Sequence, residues 1–208
     1  THLAIEDMAI MRAIPNMTVV APCDHEEMTR LMLSSLDWPH PMYIRLAKGG
    51  DQVVSDPQNG FAIGEAILLK ETRGRLPVLM VTTGVMAQRA LEAADELEQD
   101  GIASRILHMH TIKPLDEVAL SRQSTGASMI ITIEEGTLMG GLGSAVAECM
   151  ADKGINIPLK RMGIPDAFAP HYGKQEDLLE TYRLTGHYIA QEAREHLGAA
   201  NEPRIVRA

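Results

Sequence analysis

The chain has 208 residues and a formal net charge of −9, with 45% hydrophobic and 23% charged residues, a composition suited to one large or two small globular cores. The negative balance excludes a general nucleic-acid or anionic-membrane surface, because both partners are polyanions, yet it permits a local basic site for a small phosphate. No apolar run reaches the length of a bilayer span and the first residues lack a signal-peptide pattern, so a cytoplasmic protein is expected.

Only two cysteines occur, Cys23 and Cys149. Neither lies in a Cys-x-x-Cys or Cys/His ligand spacing, and both read as buried free thiols in a reducing compartment. The 13 methionines, some at helical spacing such as Met8 with Met11 and Met28 with Met32, read as core filling.

Thr1 is placed to cap a helix running to about Ala13, with Ala4, Met8 and Met11 on one face, before Pro15-Asn16 turns the chain. Met17 to Ala21 reads as a buried strand. Asp24 and Glu27 have capping-box spacing, and Met28, Leu31, Met32 and Leu36 form an apolar stripe, which predicts a helix over 25–36. Trp38-Pro39-His40-Pro41 stops that helix, and Met42 to Leu46 reads as a second strand. Strand alternating with helix predicts a parallel α/β layer over 1–47. Residues 48–60 are turn-rich and read as a linker.

Beyond the linker, strands are predicted near 62–70 and at Val78 to Thr82, then a helix from Val85 to Gln99 with Gly101 as its C-terminal stop. A strand at Ser104 to His108 follows, then a helix after Pro114-Leu115-Asp116 and a strand at Met129 to Glu134. A glycine-rich turn, a helix from Gly143 to Ala151 and a strand from Ile157 to Met162 continue the alternation. About five strands with intervening helices predict a doubly wound α/β domain over 61–208. Amphipathic helices near 175–182 and 185–197 close it, and the tail from Gly198 reads as frayed.

Several residues are candidates for chemistry. His2 stands at a helix start, where unpaired N–H groups favour an anion or hydroxyl, although position alone favours a solvent-exposed or structural histidine. Arg45, in the apolar stretch MYIRL, must leave the strand end or find an ion-pair partner. Gly140-Gly141-Leu142-Gly143 opens a helix after a strand but lacks the full G-x-G-x-x-G pattern, so close helix packing explains it best. His108, His110 and His171 show no metal-ligand spacing with nearby carboxylates and read as solvated or packed side chains.

Four stretches, Thr1 to Asp24, Met42 to Arg45, Thr111 to Asp116, and Ile131 to Glu148 with RMGIPDAF at 161–168 behind it, together resemble transketolase-like, thiamine-diphosphate-dependent enzymes. Within that family IEDMAIMRAIPNM looks closest to the transketolase branch. The resemblance implies a fold of two α/β parts: 1–47 as the C-terminal half of a pyrimidine-binding domain, 48–60 as a linker, and 61–208 as a doubly wound transketolase C-terminal domain. It implies that His2 contacts a sugar hydroxyl or the reacting carbonyl in the substrate channel, and that Arg45 binds the substrate's phosphate through its guanidinium fork. It also implies that Glu134, Glu135 and the glycines after them shape a turn near a dimer interface and hold no cofactor, although paired carboxylates can serve acid/base chemistry.

The family's ylide-forming glutamate lies before the matched region, and its Gly-Asp-Gly motif has no counterpart here. No catalytic, cofactor-binding or metal-binding residue is therefore expected in this chain; thiamine diphosphate and a divalent metal, Mg or Ca, would belong to the complete enzyme. That enzyme is expected to transfer a two-carbon ketol unit between sugar phosphates, as a homodimer or by pairing with an N-terminal transketolase subunit. The chain alone is expected to be inactive and to engage no nucleic acid or membrane. Alternatives are a portion of deoxyxylulose-phosphate synthase or of a 2-oxoacid dehydrogenase beta subunit, or a non-catalytic oligomerisation or regulatory module.

Overall fold

The computed structural model describes residues 4–49, 51–169 and 173–201. Its first helix, α1 (Asp7–Ala13), follows Glu6 without a side-chain cap; the expected cap Thr1 and the candidate His2 lie outside the described residues. Strand β1 (Thr18–Val20) is buried throughout. Helix α2 (His25–Ser35) starts as its spacing predicts, with the Asp24 carboxylate accepting the Glu27 N–H at 2.8 Å. Glu27 does not bond back to Asp24 as a capping box would. Its carboxylate turns inward and accepts the Cys23 N–H at 2.7 Å.

Strand β2 (Met42–Ile44) pairs in parallel with β1. A single 3-10 turn at Pro57–Asn59 interrupts the stretch 48–60, which is otherwise held by side chains. Both oxygens of Asp24 act there: they accept the Val54 N–H at 2.8 Å, the Ser55 N–H at 2.7 Å and the Ser55 hydroxyl at 2.8 Å.

The larger sheet comprises β3 (Ile67–Glu71), β4 (Val78–Thr82), β5 (Ser104–His108), β7 (Met129–Thr137) and β8 (Leu159–Ile164), in the order β3-β5-β4-β7-β8. Strands β5, β4, β7 and β8 are mutually parallel, and β3 adds an antiparallel edge. The continuous apolar run of β4 suits a strand covered on both faces, and every one of its residues is buried. Helices α3 (Met86–Gln99) and α7 (Gly186–Asn201) cover one face, where Ala90, Ala94, Ala190 and Ala193 let the helices approach over Met80, Ile106 and Ile131. Helices α4 (Glu117–Ser124) and α5 (Leu142–Lys153) belong to the other face, and α6 (Gln175–Thr181) precedes α7.

Two features depart from the sequence reading. Thr111–Lys113, not among the predicted strands, forms strand β6 and pairs antiparallel with β1, giving a three-stranded sheet β2-β1-β6 that draws its third strand from well beyond residue 60. A fully buried β1 needs hydrogen-bond partners on both sides, and β6 supplies the second set. Met8 and Val19 accordingly share one apolar cluster with Leu79, Leu107 and Ile130 of the larger sheet. Helix α7 also continues to Asn201, past the point where the tail was expected to fray; one glycine, Gly198, costs about 1 kcal/mol relative to alanine and does not stop a helix.

Candidate functional site

In parallel α/β sheets, ligands sit beyond the carboxyl ends of the strands. Here the segments leaving β1 and β2, Pro22 to His25 and Leu46 to Ala47, line a cavity of about 210 Å³. Val85, at the start of α3, closes it from the side of the larger sheet. A shallower notch beside it is walled by Arg45, Met8, Thr83, Gly84 and Glu135. Gly84 comes close to the β1 exit, donating its N–H to the Ala21 carbonyl at 3.1 Å with φ +56°.

Arg45 leaves the end of β2 and is 15% exposed. Its Nη1 lies 3.5 Å from Asp7 Oδ1, its Nη2 lies 4.0 Å from Glu135 Oε2, and it donates to the Ala4 carbonyl at 3.0 Å. The guanidinium thus ties α1, β2 and β7 together. Asp7 also accepts the Tyr43 hydroxyl at 2.7 Å; burial, with this carboxylate beside it, pushes the phenol up to about 12.

Glu134 shows why the glycine-rich turn needs its glycines. Its carboxylate is fully buried and accepts the Leu142 and Gly143 N–H groups at 2.8 Å each, at the N-terminus of α5. Burial raises its pKa while these two bonds oppose the shift. A Cβ on Gly141 would stand 1.9 Å from Glu134 Oε2, so the carboxylate occupies the place that any side chain would take. The anion position at this helix start is filled by the protein itself. Arg12, which the sequence did not single out, closes the turn from outside: it donates to the carbonyls of Gly140 at 2.6 Å and Gly141 at 3.2 Å, and pairs with Glu148 at 2.6 Å.

Of the histidines read as solvated or packed, His108 and His110 are packed, and His108 has a partner that spacing did not reveal. His108 Nε2 lies 3.0 Å from Glu27 Oε2, across 81 positions of sequence, and both side chains are fully buried. His110 Nδ1 meets the Thr111 hydroxyl at 2.9 Å, and Phe61 stacks on its ring with centroids 4.2 Å apart. Burial and the neighbouring His108 hold His110 down at about 4. Burial opposes the Glu27 charge, but the His108 contact prevails and holds its carboxyl at about 2. Cys23 and Cys149 are buried free thiols. His171 lies outside the described residues.

The cavity wall carries Asp24 and Asp51, and among its described lining residues there is no lysine or arginine. Such a wall offers no charge complement to a diphosphate. Among the described residues, no helix is long and apolar enough to cross a membrane.

Residues 68–189 match the transketolase C-terminal domain, and residues 1–50 match the transketolase pyrimidine-binding domain. The chain belongs to the transketolase family. It is 37% identical, over 94% of its length, to the 6-deoxy-6-sulfo-D-fructose transketolase subunit SqwH of Clostridium sp. (strain MSTE9), of which it covers 59%. It is 34% identical, over 95% of its length, to a putative transketolase C-terminal section of Methanocaldococcus jannaschii, of which it covers 61%. A 1-deoxy-D-xylulose-5-phosphate synthase from Crocosphaera subtropica is 32% identical over 99% of this chain, which spans 32% of that protein. Among solved structures, a split-gene transketolase described as an inactive beta4 tetramer superposes with a TM-score of 0.86 at 36% identity, covering 95% of this chain and 63% of the other. The Campylobacter jejuni transketolase shares the fold, with a TM-score of 0.66 at 21% identity over 93% of this chain and 28% of that one. The chain therefore spans about three-fifths of the first relatives it matches. The family is dependent on thiamine diphosphate.

Proposed function

We propose that this chain is the C-terminal portion of a transketolase whose complete form transfers a two-carbon ketol unit between sugar phosphates. On this reading 1–47 is the second half of the pyrimidine-binding domain, 48–60 is a linker, and 61–208 is the C-terminal domain of a cytoplasmic enzyme. The observation that carries it is the 36% identity at a TM-score of 0.86 to a split-gene transketolase, over 95% of this chain. That relative's inactive tetramer supports a further part of the reading: alone, this chain is inactive, and it works as part of a homodimer or with an N-terminal transketolase subunit.

Thiamine diphosphate, with Mg or Ca, would supply the electron sink for the carbanion. The described residues do not fit its diphosphate, so the complete enzyme's other half is assigned that role. This chain's contribution is to substrate. Arg45 Nη1 has no hydrogen-bond partner; its approach to Asp7 at 3.5 Å, like that of Nη2 to Glu135 at 4.0 Å, is longer than a charge-assisted hydrogen bond of ~2.8 Å. Arg45 also lines the notch beside the cavity, and on this reading its guanidinium turns to a substrate phosphate oxygen there, while His2 orients substrate hydroxyls.

Mixing the purified chain with an N-terminal transketolase subunit, thiamine diphosphate and magnesium tests the proposal. Ketol transfer from a ketose phosphate to an aldose should appear in the mixture and be absent from the chain alone. Turnover by the isolated chain, or an active mixture that decarboxylates pyruvate and leaves ketose phosphate untouched, would refute it. The second outcome would favour deoxyxylulose-phosphate synthase chemistry, the reading supported by the synthase relative at 32% identity.

A further inference from the structure

The buried cluster between α2 and β5 takes no part in the chemistry above. Cys23 Sγ, a carboxylate oxygen of Glu27 and a ring nitrogen of His108 all lie within 4.8 Å of one another. The residues are 2%, 0% and 0% exposed. Hydrogen bonding inside the protein leaves this cluster incompletely satisfied: Glu27 Oε1, His108 Nδ1 and the adjacent His110 Nε2 are buried with no partner. Native interiors rarely leave polar atoms in that condition without an ion or water to meet them.

The donor set is one sulfur, one nitrogen and one oxygen, the mixture that suits zinc and its borderline-soft neighbours. Ligand atoms at metal bond lengths of ~2.0–2.3 Å in a tetrahedron stand roughly 3.3–3.8 Å apart. The observed cluster needs to contract by only about 1 Å, a side-chain adjustment. One thiolate and one carboxylate balance a dication, which removes the cost of burying either charge alone. The Cys23 N–H bonded to Glu27 at 2.7 Å holds the carboxylate in orientation, as outer-shell donors do in metal sites. An entry route exists as well, because Cys23 forms part of the wall of the 210 Å³ cavity.

We propose that Cys23, Glu27 and His108 bind one divalent metal ion of the zinc class, with a water from the cavity in the fourth position. Binding breaks the Cys23 S–H bond and releases that proton to solvent, replaces the Glu27–His108 hydrogen bond, and places the single ring proton of a neutral His108 on Nδ1, so that a thiolate, a carboxylate and an imidazole nitrogen form the three metal–ligand bonds. Because α2 precedes the linker and β5 lies beyond it, the ion clasps the two sheets together.

With only two cysteines in the chain, Cys149→Ala leaves Cys23 as the sole thiol without touching the cluster. Titrating this variant with cobalt(II) should produce a thiolate-to-cobalt charge-transfer absorption that saturates at one equivalent and is displaced by zinc. Adding Glu27→Gln, which preserves volume, should weaken cobalt binding by about 10-fold or more. A Cys149→Ala protein that shows no thiolate band, or no saturation at one equivalent, overturns the site. Unchanged affinity on adding Glu27→Gln removes Glu27 from it and overturns the three-ligand assignment.

Discussion

Replacing Gly141 with alanine should be far more damaging than its backbone suggests. Its φ of −79° is open to any residue, so conformational strain plays no part. The added methyl would meet Glu134 Oε2 at 1.9 Å and Cδ at 2.8 Å, and the buried carboxylate would have to swing away. In doing so it would abandon the Leu142 and Gly143 N–H groups, each now bonded at 2.8 Å. Hydrogen bonds to a charged group contribute about 1.5–3 kcal/mol each, so losing both predicts a destabilisation of roughly 3–6 kcal/mol. At ~2–4 °C per kcal/mol for a chain of this size, the melting midpoint should fall by about 6–24 °C. Urea titration and thermal melting followed by circular dichroism would measure it. Gly154→Ala is the control: its φ is +66° with nothing within 4 Å, so only the left-handed backbone cost of ~1–2 kcal/mol applies. A Gly141→Ala protein no less stable than Gly154→Ala would refute the role assigned to Glu134.

Asp24→Ala should release the stretch 48–60, because one carboxylate caps α2 and also holds Val54 and Ser55; limited proteolysis should then cut there at least 10-fold faster, a cap alone being worth ~1 kcal/mol. Tyr43 is pushed up to about 12, above the ordinary tyrosine value of ~10. Its stabilising contribution is thus complete below pH ~10 and lost as pH rises toward 12. Tyr43→Phe should flatten the alkaline fall in stability between those values, and an unchanged profile would contradict the Asp7 contact. In the assembled enzyme, Arg45→Lys should raise KM for a phosphorylated substrate by about 10-fold with a smaller change in kcat, since a lysine lacks the planar fork; equal loss for phosphorylated and unphosphorylated sugars would remove Arg45 from phosphate binding.

Sequence alone determined what depends on neighbours a few positions apart. The capping acid Asp24, the apolar stripe of α2 and the buried run Val78–Thr82 each announce their element, because periodicity and caps act within a few turns of backbone. The burial of both cysteines and the structural use of the turn at Gly140–Gly143 were legible in the same way. The roles of Arg12 and Glu27 were not, since their partners stand 128 and 81 positions away. Nor was β6 legible, because Thr111–Lys113 is too short to show an alternation and becomes a strand only by meeting the free edge of β1. Tertiary structure decided these features for one physical reason: a buried hydrogen-bonding group must find its partner wherever the fold brings one, and no local pattern records that choice.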